Sequence, residues 1–103
     1  MYIIVVGGGK VGTVIAAQLL ELGHEVLVIE QSPERAVLIA EELGSCVTCA
    51  DGCEASVLGD AGAERADMLI AATEGDEDNL VSCQVAKHHY GVDRVIARIN
   101  DPK

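Results

Sequence analysis

The apolar run Ile3-Ile4-Val5-Val6 passes directly into Gly7-Gly8-Gly9-Lys10-Val11-Gly12, and then into a stretch where Val11, Ile15, Leu19 and Leu22 recur at helical spacing. Few architectures accept a β-branched strand, a glycine turn and a helix in immediate succession. Gly7, Gly9 and Gly12 satisfy the pattern G-x-G-x-x-G in the strand-turn-helix context that gives it meaning. Gly7 permits the tight turn, Gly9 removes the Cβ that would block a pyrophosphate, and Gly12 lets the helix approach the strand closely. A diphosphate would meet free backbone N–H groups and the positive end of the helix dipole there, with Lys10 adding a cation.

The rest of the chain repeats the strand-helix alternation, the βαβ rhythm of a parallel sheet covered on both faces. Strands are predicted over residues 2–6, 25–30, 45–50, 68–72 and 95–99, and helices over about 10–22, 33–43, 54–58 and 77–89. Gly23 is the expected stop of the first helix. Ser32 followed by Pro33 supplies an N-cap and a proline at the first helical position of the second. No linker and no repeat interrupts the order. The expectation is a single domain over 1–103, an α/β Rossmann-like doubly wound parallel sheet of about five strands in the order 3-2-1-4-5. A six-stranded version would need one more helix and strand, so the sequence looks truncated.

Half of the 103 residues are apolar, but Tyr2 and Tyr90 are the sole aromatic residues other than histidine. The core must therefore be packed from Val, Ile, Leu and Ala, the mixture of helices on a parallel sheet. Seven basic residues stand against seventeen acidic ones, a net charge of −10 that disfavours binding nucleic acid or an anionic lipid surface through bulk charge. A phosphate ligand must be held locally. The first six residues lack the basic region and cleavage site of a signal peptide, no apolar run is long enough to span a membrane, and a cytoplasmic chain is expected.

Glu30 closes the second strand, eighteen residues after Gly12, where an acidic side chain accepts hydrogen bonds from both ribose hydroxyls of an adenosine. A 2′-phosphate would be repelled there. The pattern favours NAD(H) or another adenine nucleotide over NADP(H), while Arg35 in the next helical turn keeps the 2′-phosphate alternative open. Gln31 follows Glu30 and joins the same candidate site.

Other clusters carry bland and sharp readings side by side. Cys46, Cys49 and Cys53 invite a metal, but residues three apart on a strand point to opposite faces, so buried thiols filling a core are expected and no metal site is assigned. Cys53 is the expected exception, exposed near the ligand, and Cys83 is expected in the core. Glu74, Asp76, Glu77 and Asp78 precede or open a helix, where N-capping and the helix dipole account for them. The sharper reading has them recruit Mg²⁺ or Ca²⁺ beside phosphate. No Ser-His-Asp, Cys-His or paired-carboxylate arrangement points to catalysis.

Several segments together resemble the nucleotide-binding N-terminal domain of potassium-transport regulatory subunits, the TrkA-N or RCK family. They are Ile3 to Gly12, Val28-Ile29-Glu30, Ala50-Asp51-Gly52 and Ala66 to Thr73. Asp76-Glu77-Asp78-Asn79-Leu80 and Ala97-Arg98-Ile99-Asn100-Asp101-Pro102 complete the series. The resemblance implies that Gly7, Gly8, Gly9, Lys10, Val11 and Gly12 hold the phosphates, that Glu30 holds the ribose, and that Asp51 and Gly52 form the adenine edge. It places Ala72, Thr73 and Asn79 at the far side of the nucleotide, and Arg98 at a phosphate or at a dimer partner. It implies NAD or NADH as ligand, with ATP/ADP as the alternative, acting as a signal rather than a substrate. The implied partners are a membrane-embedded potassium transporter or channel and a second copy of the chain in a homodimer or higher oligomer, peripheral to the inner face of the membrane. A cofactor-binding fragment of an NAD-dependent oxidoreductase is the alternative function. Gly52-Cys53 departs from the family's commoner Ala-Thr after the aspartate.

Overall fold

The computed structural model describes residues 1–101. Five parallel strands, β1 (Tyr2–Val6), β2 (Glu25–Glu30), β3 (Val47–Cys49), β4 (Met68–Ala71) and β5 (Arg94–Ala97), form one sheet in the order β3-β2-β1-β4-β5. The helices are α1 (Lys10–Glu21), α2 (Pro33–Leu43), α3 (Ala55–Asp60) and α4 (Asp76–Tyr90), with a short 3-10 turn at Ala63–Arg65. This is the predicted fold and strand order.

β1 lies at the centre and every one of its residues is buried. Its alternation divides the core between two layers. Ile4 and Val6 join Leu58, Leu69, Cys83 and Ala86 beneath α3 and α4, whereas Ile3 and Val5 join Ala16, Val28 and Ile39 beneath α1 and α2. A strand buried on both faces cannot alternate polar and apolar residues, which is why the sequence of β1 is continuously apolar.

Helix boundaries follow the local signals. α1 stops where Gly23 adopts φ +88, with the Gly23 N–H donating to Leu20 O and the His24 N–H to Leu19 O, a Schellman closure. The Ser32 hydroxyl accepts the Arg35 N–H at 3.3 Å and Pro33 opens α2. The helix forms where the spacing predicts, but of that apolar series only Ile15 and Leu19 pack against the core; Val11 and Leu22 are exposed, and Gly12 and Ala16 are the residues buried against the sheet. A Cβ on Gly12 would lie 1.9 Å from the Gly7 carbonyl oxygen, so the helix makes its closest approach by its small residues while Ile15, Leu19 and Leu20 pack at the flank of the core.

The edge strands are shorter than predicted. β3 spans three residues instead of six, and β5 ends at Ala97 rather than Ile99 because the chain after it is drawn onto the start of α4 by Asp76. Pro102 of the segment noted above lies outside the described residues.

Candidate functional site

All strands being parallel, the carboxyl ends of β1, β2 and β4 open on one edge of the sheet. The strand order reverses on either side of β1, and such a switch point leaves a crevice where loops diverge. A cleft of about 420 Å³ occupies this place, a size typical of a small-molecule site.

The glycine turn forms its base. Gly7 has φ +101, and a Cβ there would come 2.9 Å from the Thr73 nitrogen, so both conformation and space require glycine. Gly9 differs: a Cβ would point into the open cleft, its nearest neighbour being Arg35 Nη1 at 3.9 Å. Gly9 is also the N-cap of α1 and offers no side-chain cap, nor does the first turn contain an acid. The first-turn N–H groups are thus left to a ligand or water.

Glu30 ends β2 and is 5% exposed. Its Oε1 accepts the Gly8 N–H at 2.6 Å and its Oε2 accepts the Ser32 N–H at 2.7 Å, with Arg35 Nη1 3.9 Å from Oε1. The carboxylate therefore joins the glycine turn to the start of α2. An ionised carboxylate offers about four acceptor positions, so two donors leave room for two ribose hydroxyls.

The wall opposite is built from the loops after β3 and β4. Asp51 Oδ1 accepts the Cys53 N–H at 2.9 Å, closing a turn, and the buried Ser82 hydroxyl donates to the Gly52 carbonyl at 2.9 Å. A Cβ at Gly52 would strike Val6 Cγ1 at 2.4 Å, so this loop rests its backbone directly on β1. The Cys53 thiol lines the cleft, 3.6 Å from the Asp78 carbonyl and 3.8 Å from Ser82 Oγ. Its removal from water pushes its pKa up and keeps it protonated at neutral pH.

Twelve of the fifteen residues singled out from the sequence line this one cleft: Gly7, Gly9, Lys10, Val11, Glu30, Gln31, Arg35, Asp51, Gly52, Ala72, Thr73 and Arg98. Gly8, Gly12 and Asn79 do not. Gly8 points its N–H at Glu30, and a Cβ on it would overlap Ile39 Cδ1 at 2.0 Å. Gly12 serves the helix approach described above. Asn79 is fully buried, with Oδ1 accepting the Thr73 N–H at 2.9 Å and Nδ2 donating to the carbonyls of Thr73 and Arg98 at 3.0 and 2.9 Å. Its amide is spent on holding the cleft wall, so its place is behind the site rather than in it.

Val6, Ile29, Ala50, Cys53, Glu74, Asp78 and Ser82 also line the cleft. Ser82 lies in mid-helix without any local motif; only the packing of α4 against the loop after β3 brings it there. The cysteine expectation needs correction. Cys46 and Cys49 sit at the short edge strand, where there is no second layer to bury them; Cys49 is exposed and Cys46 half-buried. Their thiols turn to separate carbonyls, those of Leu43 and Gln31. Cys53 is half-buried rather than exposed, and Cys83 is buried as expected. Among the described residues no group of three or more His, Cys, Asp or Glu side chains is arranged to hold a metal ion.

The acids at the start of α4 are likewise not side-chain caps. Gly75 is the N-cap, and Asp76 receives the backbone N–H groups of Asn100 and Asp101 instead. These bonds, the Asn100 backbone foremost, hold the Asp76 carboxyl below its ordinary range.

A glycine turn at the switch point of an open parallel sheet, with an acid at the end of the neighbouring strand, defines the class of doubly wound nucleotide-binding folds. Within it the sequence profile of the TrkA-N domain matches residues 3–103, and the chain belongs to that family. A Trk system potassium uptake protein TrkA homolog of Methanothermobacter thermautotrophicus is 37% identical over 102 residues, covering 99% of this chain and 47% of the relative. The homolog of Pyrococcus abyssi is 39% identical, covering 99% and 45%. The chain thus spans about half the length of these curated relatives. Among solved structures, the Kef C-terminal domain of Shewanella denitrificans in its AMP-bound form superposes with a TM-score of 0.83 at 25% identity, covering 98% of this chain and 60% of that one. No helix among the described residues is long and apolar enough to cross a membrane.

Proposed function

We propose that this chain is the nucleotide-binding domain of a potassium-uptake regulatory protein, and that its cleft holds an adenine nucleotide whose presence is read as a signal. The observation that carries this reading is the distribution of charge. In a chain of net charge −10, three of the seven basic residues, Lys10, Arg35 and Arg98, line one cleft beside the uncapped start of α1. Four acids line the same cleft, of which Glu30 and Asp51 are engaged by backbone N–H groups while Glu74 and Asp78 stand at the opposite wall. Such a site suits a diphosphate attached to a sugar.

In this reading Gly7, Gly9, Lys10 and Val11 hold the phosphates, Glu30 the ribose, Asp51, Gly52 and Cys53 the base, and Ala72, Thr73 and Arg98 the far end. NAD or NADH is the ligand, with ATP or ADP the alternative. The AMP in the Kef domain of similar fold supports the adenosine half of the assignment. The names of the Trk relatives support a potassium-uptake system as the partner; its membrane-embedded subunit, the domain's place at the inner membrane face and its pairing with a second copy belong to the proposal. The nucleotide is bound and released unchanged.

Thermal unfolding of ligand-stripped protein with NAD, NADH, NADPH, ATP and ADP in turn tests the reading. A nucleotide at a hundredfold over its Kd should stabilise the fold by about 2.7 kcal/mol, each kcal/mol raising the midpoint by roughly 4–8 °C. A midpoint unmoved by every nucleotide refutes it. An assay of cofactor oxidation with candidate substrates is expected to show no turnover, and turnover would favour the oxidoreductase alternative.

A further inference from the structure

One wall of the cleft, Thr73 to Gly75, is fastened from outside by the segment that follows β5. The Asn100 side-chain amide donates to the carbonyls of Thr73 and Glu74 at 3.1 and 3.2 Å and to Asp76 Oδ1 at 2.9 Å. The Asn100 backbone N–H donates to the same Oδ1 at 2.7 Å, and the Asp101 N–H to Oδ2 at 3.0 Å. From within, Asn79 ties Thr73 to the Arg98 carbonyl. Residues 73–76 and 98–101 are therefore one hydrogen-bonded unit. Thr73, Glu74, Gly75 and Arg98 face the cleft, whereas Asp76, Asn100 and Asp101 do not.

The geometry points to Asp76 and Asn100 as positioning residues of the nucleotide site, and to residues 100–101 as the place where occupancy of the cleft is transmitted out of the sheet. The inference rests on the nucleotide reading above. A ligand that touches Thr73 or Arg98 acts on a wall whose outer face is the Asp76 and Asn100 pair, so ordering one side orders the other. By linkage the converse holds: whatever loosens the pair weakens the ligand by the same factor. The bonds lie on the surface and join short segments, the kind of contact that opens locally without unfolding the core.

Amide hydrogen exchange on the full protein, with and without saturating NADH or ADP, is the test. The expected result is slowed exchange at Asn100 and Asp101, outside the cleft, together with Val11 and Thr73 inside it. Asp76→Ala should abolish the protection at 100–101, speed exchange at 73–75 in the unliganded protein, and weaken the nucleotide by about fivefold or more, within the usual range of coupling between sites. Asn100→Ala keeps the two backbone N–H bonds to Asp76 and removes only the side-chain amide, so it should speed exchange at 73–75 and weaken the nucleotide, with protection at 100–101 retained in part. The double variant should lose less than the product of the two single losses, because the Asn100 amide and the Asp76 carboxylate share a bond. Protection at Val11 with none at Asn100 or Asp101 overturns the inference and leaves the nucleotide site standing. Exchange unchanged by both nucleotides throughout the cleft overturns the site and the inference together.

Discussion

The Oε1 atom of Glu30 accepts the backbone N–H of Gly8 at 2.6 Å, joining residues 22 apart in sequence across the ends of two neighbouring strands. The side chain expected to hold a ribose is thus also what fixes the glycine turn on which a diphosphate would rest. On the proposed reading, stability and recognition share one carboxylate.

Glu30→Ala should accordingly have two effects. The buried Gly8 N–H loses its acceptor, costing about 1–3 kcal/mol in urea unfolding. NADH should weaken while discrimination against NADPH relaxes, because the charge that repels a 2′-phosphate is gone. Titration of both dinucleotides against the variant checks this, and an unchanged NADH to NADPH ratio would show that Glu30 does not face the ribose.

Gly9 and Gly12, three positions apart in the motif, should respond oppositely to alanine. Gly12→Ala places a methyl 1.9 Å from the Gly7 oxygen and should destabilise the fold by about 1–3 kcal/mol. Gly9→Ala points a methyl into the cleft, should change stability by no more than about 0.5 kcal/mol, and should weaken NADH by about tenfold. Denaturant melts and nucleotide titration of the pair separate packing from binding.

Asn79→Ala removes an amide that makes four hydrogen bonds while fully buried, two from Thr73 and two to the carbonyls of Thr73 and Arg98. The backbone groups of Thr73 and Arg98 lose their partner in the half-buried wall of the cleft, and a loss of about 1–3 kcal/mol is expected. Urea unfolding measures it.

Acid should release the segment after β5 before the sheet unfolds. The Asn100 N–H groups and the Arg98 charge hold the Asp76 pKa below the ordinary 3.8. A depressed carboxyl contributes stability in full above the unfolded-state value and loses it as pH falls through the folded-state value. Exchange at Asn100, corrected for intrinsic rate, should be flat down to about pH 4 and accelerate below it. In Asp76→Ala that acceleration should vanish.

The thiols should separate by exposure. Cys49 is exposed and should be alkylated first, Cys53 slowly because desolvation keeps it protonated, and Cys83 last from within the core. NADH should protect Cys53 and leave Cys49 unaffected; mass spectrometry of the alkylated peptides reads both rates.

Most of the cleft was legible in the chain because its parts are local. The Gly7 to Gly12 turn, the Ser32-Pro33 start of α2 and the Gly23 stop of α1 each act within a few residues, and an acid at a strand end needs only the strand to be placed. Ser82, the buried role of Asn79 and the Asp76 to Asn100 fastening were not legible. Their partners lie 30, 19 and 24 residues away, and no spacing rule marks them.

The sequence by itself determined the parallel sheet, its strand order and the glycine turn, because backbone sterics and the burial of both faces of β1 leave a continuous apolar run followed by glycines no other use. Only the tertiary structure decided which side chains face the cleft and which stand behind its wall. Asn79 and Gly8 were indistinguishable from contact residues until α4 packed against the sheet and Glu30 reached across to the turn, since a polar group's role is set by the donors and acceptors that folding brings within 3 Å of it.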